Sequence, residues 1–465
     1  MSEHLTPPDP TPPDLSQPIH VHVVGAGGAG MSAIATVLAA MGHTVTGSDL
    51  RSSPVIDRLT AAGIDVIVGH AAENVGDADV VTVSTAIRDG NPEVVEARRR
   101  GIPVYRRSTV LAAIAALRRC IAVAGTHGKT TTASMLALML VEAGLRPSFL
   151  IGGEVNEIGT NAVWDDGEWL VVEADESDGT FLSLLPDIAV VTNVEPDHLD
   201  HYGSFEAMRS AFGAFLQVAR QRVVGGDDAE ALTLARAHHA DTVGVGENCS
   251  HRLTDLNLSR SSVAFNLRAD GVDLGRLAVP VPGLHNARNA AVAAVAALAA
   301  GVAFEDAAAA LARFAGVARR FEFRGVAGGV TFVDDYAHLP SEVEAALAAA
   351  RDGGWQRIVA VFQPHRYSRT AALSSDFGRA FVDADVVVVT DVYGAGEPPI
   401  PGVSGRLVAD AVHQAEPDKP VIYVASRSEL RSGVASLLTA GDLCCTLGAG
   451  DLTSLPDELL AAPSW

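Results

Sequence analysis

Apolar and polar positions alternate along this chain in one repeated unit. A short run of consecutive apolar residues ends in a turn of glycine and polar groups, and an alanine-rich stretch with helical spacing follows. Uninterrupted apolar runs mark strands buried on both faces, and their alternation with helices predicts parallel sheets covered on both sides. Runs at Ile19–Val24, Thr44–Gly47, Asp65–Val68, Val80–Ser84 and Pro103–Tyr105 predict a first small doubly wound sheet. Ile121–Ala124, Trp169–Val172 and Ile188–Thr192 predict a second, and Val330–Asp334, Ile358–Phe362, Val386–Thr390 and Leu443–Leu447 a third. Between the last two, Gly244–Gly275 reads as short β segments in a peripheral excursion, followed by a long alanine-rich helix ending at Gly301. Residues 1–18 are rich in proline, Asp, Thr and Ser and predict a disordered tail.

Chemistry collects where the apolar runs stop. Ile121–Ala124 enters Gly125-Thr126-His127-Gly128-Lys129-Thr130-Thr131-Thr132, and the apolar stretch Ala133–Val141 leaves it. Strand, glycine turn and helix in that order suit a phosphate-binding loop. Backbone N–H groups close around phosphate oxygens, Lys129 supplies positive charge and the Thr130 hydroxyl can hold magnesium. Val123 stands where the general motif has a glycine, so an ordinary strand-to-helix turn is the competing reading. Trp169–Val172 ends in Glu173-Ala174-Asp175-Glu176-Ser177-Asp178, and Ile188–Thr192 ends in Asn193-Val194-Glu195-Pro196-Asp197-His198. Singly these read as a solvated acidic turn and a structural histidine. Delivered to one sheet edge beside a phosphate loop, they look like a metal site.

The first module has its own glycine turn. Gly25, Gly27 and Gly30 fit GxGxxG, where glycines admit a diphosphate close to a helix N-terminus, and Asp49 sits where a ribose-binding acid would. Tight strand–helix packing is the bland alternative. About a hundred residues lack the second half of a dinucleotide fold, which favours a mononucleotide diphosphate over NAD. In the third module four strand ends carry polar groups, at Asp335-Tyr336-Ala337-His338, Gln363-Pro364-His365-Arg366, Asp391-Val392-Tyr393 and Gly448-Ala449-Gly450-Asp451. Arg320, Arg366 and Arg369 can grip anionic groups by paired hydrogen bonds. His338 and His365 can orient a substrate or move a proton, or serve structure alone. At 282–289, capping explains Asn286, and spacing assigns nothing to His285 and Asn289.

Composition narrows the class. A chain of 465 residues, 48% hydrophobic with four cysteines, predicts a folded protein of two to four domains in a reducing compartment, without a disulfide framework or zinc site. A net charge of −22 disfavours nucleic acid and anionic membranes. No signal peptide or membrane span is legible, which predicts a cytoplasmic protein.

The ordered motifs GAGGAGMS (25–32), GTHGKTT (125–131), EADESD (173–178), NVEPDHLD (193–200), PGLHNARNA (282–290), RRFE (319–322), VDDYAHLPSE (333–342) and QPHRYSRT (363–370) resemble the Mur ligases. The likeness is strongest to the branch that adds L-alanine to UDP-N-acetylmuramate. It implies an α/β, three-domain Mur ligase architecture following the tail at 1–18: a Rossmann-like UDP-binding domain (19–107), a P-loop ATPase-like central domain (108–318) and a Rossmann-like C-terminal domain (319–465). It also implies ATP-driven amide formation through an acyl phosphate, with ATP and Mg2+ as cofactors and a monomer or weak homodimer as the working state.

Carried over by motif, Lys129, Glu173, His198, His338, Arg366 and Arg369 are catalytic, and Thr130, Glu173 and His198 face the metal. ATP falls to Gly125, Thr126, His127, Gly128, Lys129, Thr130, Thr131, His285, Asn289, Arg320 and Asp335. The substrates fall to Gly25, Gly27, Gly28, Gly30, Met31, Asp49, Ser84, Asn161, Tyr336 and His365. Two positions depart from many relatives. Phe205–Gln217 contains no lysine that could be carbamylated, as in the alanine-adding branch, and Ala337-His338-Leu339 replaces Gly-His-His. Competing readings are a ligase recycling murein peptides, an NAD-dependent oxidoreductase and a nucleotide-controlled scaffold.

Overall fold

The computed structural model describes residues 11–84, 86–155 and 157–461. The expected tail therefore lies outside the described residues up to residue 10. Residues 11–18 form no helix or strand, as their prolines dictate, yet Leu15 is buried and the Tyr105 hydroxyl donates to the Thr11 carbonyl at 2.9 Å. Packing against the first module thus begins before Ile19. Burial of Leu15 and the Tyr105 hydrogen bond are among the contacts that hold a segment whose composition reads as unstructured.

The chain divides into two compact units, one of Met1–Thr254, Leu267–Gly275 and Asn289–Leu311, the other of Asp255–Asn266, Arg276–Arg288 and Ala312–Trp465. The first unit opens with β1 (His20–Val24), β2 (Thr44–Asp49), β3 (Asp65–Val68), β4 (Val80–Val83) and β5 (Val104–Arg106), all parallel in the order β3-β2-β1-β4-β5. The reversal of order beside β1 places the β1 and β4 ends at the crevice where such sheets bind ligands. Beneath it lies a buried polar cluster. Glu93 accepts from Ser48 Oγ at 2.7 Å and Asn74 Nδ2 at 2.6 Å. Burial pushes its carboxyl up, but hydrogen bonds from His22, Ser48 and Asn74 outweigh burial and hold it down at about 2.

The same unit continues with β6 (Arg119–Ala124), β7 (Ser148–Val155), β8 (Thr160–Val163), β9 (Trp169–Glu173), β10 (Ile188–Val191), β11 (Gln221–Gly225) and β12 (Asp241–Gly244). Their order is β12-β11-β10-β6-β9-β7-β8, with only β8 antiparallel. β6 lies at the centre with Cys120 to Ala124 fully buried, as its continuous apolar run requires. The helix Lys129–Glu142 is buried from Thr130 to Leu140, which explains why it is apolar all round. One apolar cluster runs from Val23, Ile34 and Leu38 through Ile114 to Leu170, Val191 and Phe212, so no packing gap falls at residue 107.

The excursion becomes three strands, β13 (His251–Leu258), β14 (Val263–Ala269) and β15 (Val272–Val279). The second unit carries β16 (Glu322–Ala327), β17 (Val330–Asp335), β18 (Arg357–Phe362), β19 (Val386–Thr390), β20 (Val421–Val424) and β21 (Asp442–Leu447), in the order β16-β17-β21-β18-β19-β20. Only β16 is antiparallel. The ends of β17, β18, β19 and β21 therefore share one edge. No helix among the described residues is long and apolar enough to cross a membrane.

Candidate active site

The turn after β6 is built by two glycines with left-handed backbone, Gly125 at φ +134 and Gly128 at φ +78. A Cβ on Gly128 would lie 2.5 Å from Asn289 Oδ1, which places that asparagine directly against the loop. The turn is pinned to the end of β10. Thr192 Oγ1 and Asn193 Nδ2 donate to the His127 carbonyl at 2.5 and 3.1 Å, His127 N donates to Asn193 Oδ1 at 2.8 Å, and Thr126 Oγ1 accepts from Glu195 N at 2.9 Å. His127 Nε2 lies 3.2 Å from Glu195. The segment read as a metal-bearing strand end thus also shapes the loop.

Lys129, mostly buried, uses its ammonium on Gly125 O at 2.6 Å, Thr126 O at 3.2 Å and Glu176 Oε1 at 2.8 Å. Burial alone would lower its pKa; Glu176, Asp175 and Glu173 outweigh that and hold it above the ordinary lysine value. At Glu176 burial dominates over the pull of Lys129 and pushes the carboxyl up. Next to it, Thr130 Oγ1 donates to Glu173 Oε1 at 2.9 Å and Gly152 N to Glu173 Oε2 at 2.6 Å. A Cβ at Gly152 would sit 2.8 Å from Glu173 Oε2, so a larger residue there would displace that carboxylate. His198, with left-handed φ of +51, contacts Asp197 at 3.1 Å and Glu176 at 4.0 Å. Of the expected metal trio, Thr130 and Glu173 touch each other, and His198 contacts Glu176. Thr131 is buried as the third residue of the helix.

At the first glycine loop, Gly25 N donates to Ser48 O at 2.8 Å, Gly27 N to Asp49 Oδ2 at 2.9 Å and Gly28 N to Gly25 O at 3.3 Å. The Ser84 Cβ lies 3.2 Å from where Gly25 would carry one, and Met31 is buried at the start of the following helix. Those residues are together. Gly30 abuts Arg107, whose guanidinium pairs with Asp175 at 3.2 Å and Asp178 at 3.3 Å. Asn161 lies on β8, with Nδ2 on Ile151 O at 3.2 Å. The helix Ala29–Ala40 packs on β7 and β8, which brings this hairpin near the loop.

In the second unit Asp335 is buried and accepts from Phe321 N and Ala337 N, both at 2.7 Å. Burial pushes its carboxyl up to about 6 despite Arg320 and those donors. Burial and the neighbouring Arg320 and Arg288 lower His285 to about 4. The guanidinium carbons of Arg319 and Arg320 lie 4.8 and 5.2 Å from the Tyr336 ring centre. His338 stands edge-on to Tyr336 and to His365, and its Nδ1 lies 3.1 Å from Glu342. The His365 ring stacks on Tyr393 with 5.9 Å between centres. Arg369 donates to His365 Nδ1 at 3.2 Å, and because a guanidinium only donates, the His365 proton sits on Nε2. Arg366, exposed, holds a left-handed φ of +68 at the head of its helix, a strained backbone of the kind found at binding sites.

No individual role for Arg107, Glu176, Arg319, Glu342 or Tyr393 is legible in the sequence. Glu176 stood in the acidic run without being separated from it. Arg107 gave no local signal, since only the fold sets it beside a glycine loop and two carboxylates.

His365 is held neutral by burial, by His338 and by the two arginines, which lower it to about 3. A depressed histidine contributes stability above the unfolded value of about 6.5 that is lost as pH falls toward 3. His365→Gln is therefore expected to remove about 1–2 kcal/mol of the stability difference between pH 7 and pH 4, the full linkage reduced by solvent screening of a partly exposed ring. Urea unfolding at the two values measures it, and an unchanged difference would show that His365 is protonated in the folded state.

A parallel sheet ending in a phosphate loop, with a lysine against buried acids, defines an α/β protein of the nucleoside-triphosphate-using class. The chain belongs to the Mur ligase family: residues 20–119 match the Mur ligase family catalytic domain, 123–297 the middle domain and 319–450 the glutamate ligase domain. It is 44% identical to the UDP-N-acetylmuramate–L-alanine ligase of Geobacter sp. (strain M21), over 95% of this chain and 96% of the relative. It is likewise 44% identical to that of Agrobacterium fabrum, over 94% of this chain and 96% of the relative. The crystal structure of UDP-N-acetylmuramate-alanine ligase from Thermotoga maritima superposes with a TM-score of 0.82 at 30% identity, covering 95% of this chain and 98% of that one. A murein peptide ligase from Psychrobacter arcticus shares the fold, with a TM-score of 0.69 at 24% identity and coverage of 95% and 98%.

Proposed function

We propose that this protein uses ATP to join L-alanine to the muramoyl carboxylate of UDP-N-acetylmuramate, a step of peptidoglycan precursor synthesis. The observation that carries the reading is the cluster of Lys129, Thr130 and Glu173 at the ends of β6 and β9, set in a chain that matches L-alanine ligases along 95% of its length. The boundaries 19–107, 108–318 and 319–465 serve as the sugar-nucleotide, ATP and amino-acid modules, and the cytoplasm supplies all three reactants to a monomer or weak homodimer.

A carboxylate oxygen of the muramoyl group attacks the γ-phosphorus of ATP, the bond to the β-phosphate oxygen breaks, and ADP leaves. The alanine amine then attacks the acyl phosphate carbonyl. The tetrahedral intermediate expels phosphate, the amine loses a proton, and an amide remains. Lys129 offsets the charge that develops on the transferred phosphoryl group, and the backbone N–H groups at the head of the helix, Lys129 to Thr131, receive the phosphates. Thr130 and Glu173 form a hydroxyl–carboxylate pair of hard oxygens. This suits Mg2+, which takes one or two protein ligands and completes its shell with water and phosphate. Among the described residues no three acid, histidine or cysteine groups converge as a metal cluster. When bound, Mg2+ neutralises phosphate charge, and His198 stands on the Glu176 side of the loop.

The first glycine loop with Met31, Ser84 and Asn161 holds the UDP-sugar, with Asp49 toward its ribose. His285 and Asn289 take the adenine, Arg320 and Asp335 the ATP ribose region. Tyr336, His338, His365, Arg366 and Arg369 receive the amino acid and the muramoyl end, where positioning and exclusion of water do most of the work.

Phosphate release measured with ATP, Mg2+, UDP-N-acetylmuramate and one amine at a time tests the reading. Release is expected with L-alanine and not with a murein tripeptide. Tripeptide consumption without alanine consumption would assign the chain to peptide recycling instead.

A further inference from the structure

Glu176 differs from the other carboxylate at the loop. Glu173 has both oxygens occupied, by Thr130 Oγ1 and Gly152 N. Glu176 is 1% exposed and gives one oxygen to Lys129, while its Oε2 is buried without a hydrogen-bond partner. Its backbone is fixed, since its carbonyl accepts from the Tyr202 hydroxyl at 2.5 Å and from Gly179 N at 3.1 Å. Native proteins rarely leave a buried carboxylate oxygen unpaired, and such a group asks for a reason. The ammonium it holds has all three donors spent on the protein, so phosphates entering the loop must take at least one of them. They also bring negative charge toward a fixed, poorly solvated carboxylate, where repulsion is far stronger than in water.

We propose that Glu176 is a positioning residue that makes nucleotide entry depend on a divalent cation: it holds Lys129 in the empty loop and repels bare triphosphate. A cation that arrives with the nucleotide offsets the repulsion and frees the lysine for the phosphates. The proposal rests on the reading of the Lys129 loop as the ATP site. Glu176 thereby prevents ATP without its cation from occupying a site where transfer would be slow.

The test is the affinity of a non-hydrolysable ATP analogue for the full-length protein by titration calorimetry, once with EDTA and once with Mg2+. Glu176→Gln and Glu176→Ala remove the charge; Glu176→Asp keeps it. In EDTA the neutral variants are expected to bind about tenfold more tightly than the unmodified protein, with the ratio of Mg2+ to EDTA affinity reduced by a similar factor. Glu176→Asp keeps the original ratio. Retained UDP-N-acetylmuramate binding reports folding, and either neutral variant that folds suffices. A merely structural glutamate would give equal or weaker binding in EDTA on substitution, and that result overturns the proposal. Unmodified protein that binds the analogue in neither condition would remove the ATP-site reading and the proposal with it.

Discussion

Lys129→Ala is expected to lower alanine-dependent phosphate release by at least about a thousandfold, the upper range for removing one group that stabilises transition-state charge. The variant should still bind UDP-N-acetylmuramate within about threefold of the unmodified protein, because the first glycine loop, proposed to hold the sugar nucleotide, shares no partner with the ammonium. The ammonium is bonded to Gly125 O, Thr126 O and Glu176, while the first glycine loop is tied to Ser48 and Asp49. Stability falls as well. Without Lys129 the buried Glu176 carboxylate stands alone, and breaking a buried pair from one side costs about 3–5 kcal/mol. Lys129→Ala with Glu176→Gln should therefore recover most of the lost melting temperature and none of the activity. Recovered activity, or sugar-nucleotide binding lost in a folded variant, would contradict the division of labour.

Gly125→Ala is expected to be the most damaging change of a residue that has no side chain to lose. Its φ of +134 lies outside what alanine adopts without strain, at about 1–3 kcal/mol. The added Cβ would overlap Thr192 Oγ1 and press to 3.0 Å from Thr192 N and 3.2 Å from Asn193 N. Both neighbours are the end of β10, which is paired through Val191 to Ala124, so neither can retreat without opening the sheet. Loss of measurable ATP binding and a lower melting temperature should follow. Thr192→Ala in the same chain removes the hydroxyl but leaves the backbone contacts and the φ, so it should restore stability only in part. Full restoration by that second change would mean that the hydroxyl alone requires the glycine.

These effects also show what a sequence can carry. The strands were legible because each is a continuous apolar run: β6, β9, β18 and β19 stand within a residue or two of where Ile121–Ala124, Trp169–Val172, Ile358–Phe362 and Val386–Thr390 predict them. The glycine turns were legible because backbone with positive φ demands that residue. What local pattern could not convey is which polar groups meet across the sheet. Glu176 returns to Lys129 only because the turn after β9 folds back over the loop, and Arg107 reaches Asp175 and Asp178 across a tertiary contact. Leu15 failed to register for the same reason, one apolar residue in a proline-rich segment whose partners lie far along the chain.

The proposed function puts the activation of a carboxylate by phosphorylation at the Lys129 loop. UDP-N-acetylmuramate labelled with 18O in both oxygens of the muramoyl carboxylate tests it in one turnover with ATP, Mg2+ and L-alanine. Attack on the γ-phosphorus transfers one labelled oxygen, so mass spectrometry should find 18O in the released phosphate and the other label in the amide. Phosphate free of label, formed together with the amide, would contradict activation through an acyl phosphate.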